Sequence, residues 1–137
     1  MENTPRILGL DHVALTVSDL DRSETWYRDI LGLEIVKEPV HWGPYPVMAL
    51  ANGSGIALFP AKDGGDSQAQ KASIRFLHLA FRVEQTAFDN WRARFDRLSI
   101  PYRFEDLHYY HSLFLLDPDG HEIELTCLRI PLPTALP

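Results

Sequence analysis

The chain has 137 residues, 45% hydrophobic and 23% charged, a composition that suits one compact globular domain with a core of its own. Its formal charge of −6 and the lack of a basic run argue against nucleic acid or an anionic membrane as the main partner, leave room for a local basic pocket, and favour a small-molecule partner. Cys127 is the only cysteine, which excludes an intrachain disulfide, and no apolar run matches a signal-peptide core or a membrane span, so a cytoplasmic protein is expected.

Residues 10–17, LDHVALTV, alternate so that Val13, Leu15 and Val17 share one face and His12, Ala14 and Thr16 the other, as in a half-buried strand. A helix is predicted from Asp19 to Gly32, with Leu20, Trp26, Tyr27, Ile30 and Leu31 at helical spacing, Ser18 or Asp19 as cap and Gly32 as terminator. Strands are predicted at about 33–38, 46–51 and 55–60, the last two joined by the turn residues Asn52-Gly53-Ser54-Gly55. The polar stretch 61–73 reads as a solvated linker. Then the plan repeats. Residues 76–83, FLHLAFRV, alternate; Phe88, Trp91, Phe95 and Leu98 form a helical stripe; and strands follow at about 101–105, 111–116 and 121–128.

Aligning the two β-α-β-β-β halves puts His12 on His78 and Ala57 on Glu124. Each half alone buries too little, so the expected fold is α+β: two tandem βαβββ modules forming a curled mixed sheet around a metal cup, with the helices outside. Module one spans about 7–60, the linker 61–73, module two about 74–128, and a Pro-rich C-terminal arm 129–137, all in a single domain.

The stretch DPDGHEIELT (117–126) is a turn followed by an alternating strand with Glu122, Glu124 and Thr126 on one face and Ile123, Leu125 and Cys127 on the other. The repeat selects Glu124 as the carboxylate that joins His12 and His78 in a two-histidine, one-carboxylate set of the kind that holds Fe(II) or a similar divalent ion with positions left open. Glu122 is left out, because residues two apart on a strand are separated by roughly 6.6 Å, several times a metal–oxygen bond. It is expected to be solvated or to support the site indirectly.

LDHVALTVSDLDRSETWYRDILGLEIV (10–36), LHLAFRV (77–83) and SLFLLDPDGHEIELT (112–126) together resemble the vicinal oxygen chelate superfamily, which includes glyoxalase I, extradiol dioxygenases, fosfomycin-resistance thiol transferases and bleomycin-resistance proteins. The resemblance implies paired βαβββ modules, a divalent metal at His12, His78 and Glu124, and a homodimer. Ala57 stands where glyoxalase I has a fourth ligand, Phe114 where extradiol dioxygenases have a Tyr, and Ala14 where fosfomycin transferases have a Thr. The potassium loop of those transferases is not recognised in 104–112. His108 lies near an earlier His position of the dioxygenases.

The expected function is a divalent-metal-dependent enzyme that chelates neighbouring oxygens of a small substrate, with dioxygenase-like chemistry first. The alternatives are non-redox lyase, isomerase or fosfomycin-type thiol transferase chemistry, or a bleomycin-type binding protein. Fe(II) is the favoured ion, with Mn, Ni or Zn as other choices. Tyr110 and His111 are the candidate acids or bases, because Tyr donates a proton to an oxyanion and His titrates near neutral pH. If Phe114 faces the metal, Tyr110 and Ser112 follow it and His111 points away; a one-residue register change reverses this. Trp42 and Tyr45 in the stiff loop VHWGPYP, with Arg82, His108, Ser112 and Phe114, are the expected substrate contacts.

Overall fold

The computed structural model describes residues 4–62 and 76–133. Most of the expected linker and residues 134–137 of the expected arm lie outside them. The chain divides into two compact units, residues 1–66 and 67–137.

Unit one contains β1 (His12–Val17), α1 (Leu20–Leu31), β2 (Glu34–Val36), β3 (Val47–Ala51) and β4 (Ser54–Pro60). They form a mixed sheet in the order β1-β4-β3-β2, with β1 parallel to β4. The helix begins where the Asp19 carboxylate accepts the Arg22 backbone N–H at 3.0 Å. It ends where Gly32 turns left-handed at φ 69°. The Gly32 and Leu33 N–H groups then return to the carbonyls of Arg28 and Tyr27, satisfying acceptors that a helix end leaves open. The helix buries Ser23, Tyr27 and Leu31. The sheet contributes Val17, Val47, Ala49, Ile56 and Leu58 to the unit's core.

Unit two repeats the order: β5 (Leu79–Arg82), a short 3-10 turn, α2 (Phe88–Arg97), β6 (Arg103–Asp106), β7 (Tyr110–Leu116) and β8 (Glu122–Leu128). Its sheet order is β5-β8-β7-β6, again with the first strand parallel to the last. The repeat extends to register. Ala14 lies opposite Ala57 in unit one, and Ala80 lies opposite Glu124 in unit two. Met48 lies opposite Ala57 just as Phe114 lies opposite Glu124.

Strand β5 is shorter than the predicted 76–83, for a reason visible in β8. Leu79 pairs with Ile123, so nothing beyond Glu122 remains to pair with Phe76 and Leu77, which are 70% and 69% exposed. The chain before Glu122 is already committed to the turn. Buried Asp117 builds that turn, its Oδ1 accepting the backbone N–H groups of Asp119 at 2.9 Å and His121 at 2.8 Å, while Gly120 takes φ 84°.

Asp117→Ala strands two backbone donors beside a buried position. It is expected to lower unfolding stability by about 2 kcal/mol in urea denaturation. An unchanged midpoint would show that the turn holds without the carboxylate.

Candidate metal centre

The β7 to β8 register settles which side chains share a face. Phe114 opposes Glu124 and Ser112 opposes Thr126, so these four lie together, and His111 opposes Cys127 on the other side. Glu124 is 7% exposed and Ser112 fully buried. The Ser112 hydroxyl donates to Glu124 Oε2 at 2.6 Å and lies 2.9 Å from Thr126 Oγ1. Having one proton, it gives that proton to the carboxylate, which only accepts, and so takes its second bond from Thr126. The result is a Thr126 to Ser112 to Glu124 relay that fixes the carboxylate plane.

His78, one residue before β5, reaches the other carboxylate oxygen: its Nε2 is 2.9 Å from Glu124 Oε1. Its Nδ1 is 3.8 Å from Glu122 Oε1, beyond a hydrogen bond but within ion-pair range. Glu122 therefore lies beside the imidazole edge turned away from Glu124. The Phe114 ring meets the His78 ring edge-on at 5.6 Å. On its own, the Arg103 guanidinium stands 4.4 Å from the centre of the Phe114 ring while its Nε contacts Glu105 at 2.7 Å. Arg103 is the member of this face that sequence reasoning missed. Only the cross-strand register, Arg103 opposite Phe114, brings it there.

In unit one, His12 carries the same device. Its Nδ1 lies 2.7 Å from Asp11 Oδ1, which leaves Nε2 as the ring nitrogen not engaged by that carboxylate. Ala57, the counterpart of Glu124, is buried and has no donor. Among the described residues, no group of three or more His, Cys, Asp or Glu side chains converges in metal-holding geometry. What the structure brings together is the His78 and Glu124 pair.

The remaining expected site residues separate. Tyr110 is on the Glu124 face but pairs with Leu128, four residues along β7 from Phe114, or roughly 13 Å of strand. His111 is a correction: it sits on the helix-facing side, its ring 5.1 Å from that of Phe104 and 5.9 Å from that of Phe88, so it cannot serve Glu124 as an acid or base. Exposed His108 is left-handed at φ 66° and stacks edge-on against Tyr109 at 4.8 Å. Ser112 positions the carboxylate, a role different from the substrate contact expected of it. Arg82 is exposed and pairs with Thr126 at the end of β5.

Trp42 and Tyr45 are 45% and 43% exposed, with the Tyr45 ring against Phe59 at 6.0 Å. Their loop is tied by Glu38, whose Oε2 accepts the His41 backbone N–H at 2.6 Å. That bond is the main reason the Glu38 carboxyl is held below its ordinary value of 4.5. Asp106 is likewise held below 3.8, chiefly by the backbone N–H of His108.

A family model described as Glyoxalase/Bleomycin resistance protein/Dioxygenase superfamily matches residues 9–125. A metallothiol transferase FosB of Staphylococcus saprophyticus is 28% identical over 122 residues, covering 87% of this chain and 76% of that protein. A glutathione transferase FosA of Serratia marcescens is 25% identical over 117 residues, covering 85% and 79%. Among solved structures, a lactoylglutathione lyase from Agrobacterium tumefaciens is similar at 26% identity and a TM-score of 0.67, covering 90% of this chain and 96% of that one. A glyoxalase/dioxygenase from Nostoc punctiforme matches at 23% identity and a TM-score of 0.72, covering 95% and 100%, a likeness of fold.

Because its folded value is depressed, Glu38 contributes stability to its loop above its ordinary value of 4.5, and that contribution is lost as pH falls through the lower folded value. An NMR titration of the Glu38 carboxyl is expected to give a midpoint below 4.5, with the His41 and Trp42 amide signals moving in step. A midpoint at or above that value would contradict the tie.

Proposed function

The chain belongs to the glyoxalase/bleomycin resistance protein/dioxygenase superfamily, and from that premise we propose that it is a divalent-metal-dependent enzyme that transfers a thiol to a small substrate carrying neighbouring oxygens. The observation behind this reading is the 2.9 Å approach of His78 Nε2 to Glu124 Oε1. Two ligands at right angles on an ion, each at 2.0–2.1 Å, are themselves roughly 2.9 Å apart, so the pair fits such an ion with little rearrangement. The same distance suits a hydrogen bond, which lets the two side chains hold their places with or without the ion. His12 is the third donor in this proposal, on the strength of the repeat and of its matching Asp11 contact.

Thiol transfer is preferred because the curated relatives are named as thiol transferases. The expected order, dioxygenase chemistry first, is reversed. With it lapses the reason to favour Fe(II), since thiol addition needs only a redox-silent ion such as Zn or Mn.

A bound ion would act as a Lewis acid, drawing charge from the substrate oxygens. The chain supplies the rest. Ser112 holds Glu124 with Oε1 turned toward His78, and Phe114 closes one side of the imidazole. Arg103, stacked above Phe114, presents positive charge on the same face to an anionic substrate. In the addition, a sulfur–carbon bond forms as a carbon–oxygen bond breaks, and the thiol proton ends on the released oxygen. Tyr110, roughly 13 Å along β7 from Phe114, and His111, on the other face, have no part in this proton transfer.

A homodimer accompanies this reading. Ile7, Leu8 and Leu10 before β1, and Phe76 and Leu77 before β5, are 69–88% exposed, apolar surface that a second copy would bury.

Mass spectrometry of glutathione or cysteine incubated with fosfomycin, the protein and Mn, Ni or Zn is expected to show a covalent adduct. Its formation should fall at least about 100-fold in Glu124→Gln, and ion affinity should fall roughly 10–100-fold in Ser112→Ala. No adduct with either thiol and any of the three ions would overturn thiol transfer. Oxygen uptake with catechols and Fe(II) would restore the dioxygenase order. Sedimentation is expected to give a dimer that Leu8→Asp with Phe76→Asp converts to monomer; a wild-type monomer at micromolar concentration would contradict the dimer.

A further inference from the structure

The helix-facing side of unit two holds a cavity of about 260 Å³ lined by Gln85, Phe88, Asp89, Arg92, Phe104, His111, Cys127 and Arg129. It arises because the layer between α2 and the sheet is built of rings set edge to face, Phe88 against Phe104 at 6.0 Å and Phe104 against His111 at 5.1 Å. Cys127, opposite His111 on β8, is too small to fill the gap between them. The cavity opens on the face of β7 and β8 that Glu124 does not use.

Two guanidiniums are fixed at this cavity, and both are fixed by rings. The Arg92 guanidinium lies over Phe104 at 4.8 Å from its centre. Arg129 places an Nη1 2.8 Å from His111 Nε2 and 3.2 Å from Nδ1. Among the described residues no carboxylate makes a close ion pair with either guanidinium; Asp89 lines the cavity, and Asp106, 3.6 Å from His111 Nε2, interacts with the Arg129 charge at longer range. The Phe104 ring orients Arg92 without occupying its N–H fork, and Arg129 keeps the N–H groups that Nη1 does not turn to His111; such donors match the oxygens of a carboxylate or phosphate. The site therefore offers an oxyanion two oriented guanidiniums, Arg92 and Arg129, on a chain whose overall charge is −6.

We infer that this cavity is a second binding site, separate from the Glu124 face, for a small oxyanion: a carboxylate or phosphate group on a body no larger than a few carbon atoms. Arg92 and Arg129 grip the oxygens, Phe88 and Phe104 flank the body, and His111 positions Arg129. The volume is just below the range of drug-sized ligand pockets, which restricts the occupant to a small acid or inorganic phosphate.

The test is an NMR titration of the full chain with inorganic phosphate and, separately, with malonate, EDTA being present so that no metal-bound anion contributes. Saturable shifts are expected at the Arg92 and Arg129 Nε–H signals and at the Phe88 and Cys127 amides. Arg92→Gln with Arg129→Gln should weaken binding at least tenfold, Arg92→Lys with Arg129→Lys should recover only part of it, and Glu124→Gln should leave it unchanged. Saturation by phosphate alone or malonate alone names the class. No saturable shift with either probe overturns the site, as does binding that survives in the double glutamine variant or is lost in Glu124→Gln. Thiol-transfer activity is measured apart, so either reading can fail without the other.

Discussion

Everything proposed for this molecule depends on the antiparallel register of β7 and β8, Phe114 opposite Glu124. Side chains alternate along a strand with a period of two, so this single pairing assigns two chemistries to the two faces of one hairpin. One face receives Glu124, Ser112, Thr126 and Phe114; the other receives His111, Cys127, Leu113 and Leu125. A slip of one residue would put the carboxylate under α2 and the imidazole in its place. The DPDG turn guards against that slip, because the Asp117 carboxylate binds backbone donors on the far side of the turn and so fixes where β8 begins.

Burying a carboxylate on one of these faces is costly unless its lone pairs are used. Here both oxygens are engaged, Oε2 by Ser112 and Oε1 by His78. Thr126 and Glu122 extend this set outward. The arrangement resembles what a metal ligand needs, in that the carboxylate is immobilised from behind while its forward oxygen stays opposite a nitrogen donor. The same economy appears in the repeat: His12 and His78 each carry an acid on the Nδ1 side, at 2.7 Å and 3.8 Å, and so each directs Nε2 elsewhere.

Much of this was legible in the sequence. The alternation of LDHVALTV matches the exposed and buried pattern of β1, and Asp19 and Gly32 cap α1 as their chemistry requires. The alignment of the halves reappears as equal registers of Ala14 with Ala57 and Ala80 with Glu124. Parity also made the fate of His111 conditional on Phe114, and the observed register realises the branch in which His111 turns away. What could not be read was any contact across strands. Arg103 gives no local signal, and its place over Phe114 follows from the β6 to β7 pairing. The arginine pocket draws on α2, β6, β7 and the residue after β8, which lie far apart in the chain. The order of reactions was misjudged for a different reason, since a two-histidine, one-carboxylate set is compatible with several chemistries and only the named relatives favour thiol transfer.

The most direct measurement is anomalous diffraction from crystals of the protein grown with Mn(II) or Zn(II). A peak about 2.0–2.2 Å from both His78 Nε2 and Glu124 Oε1, with His12 as a further ligand, is the predicted result. Density for the ion elsewhere, or a His78 to Glu124 pair that stays hydrogen-bonded at saturating metal, would contradict the account.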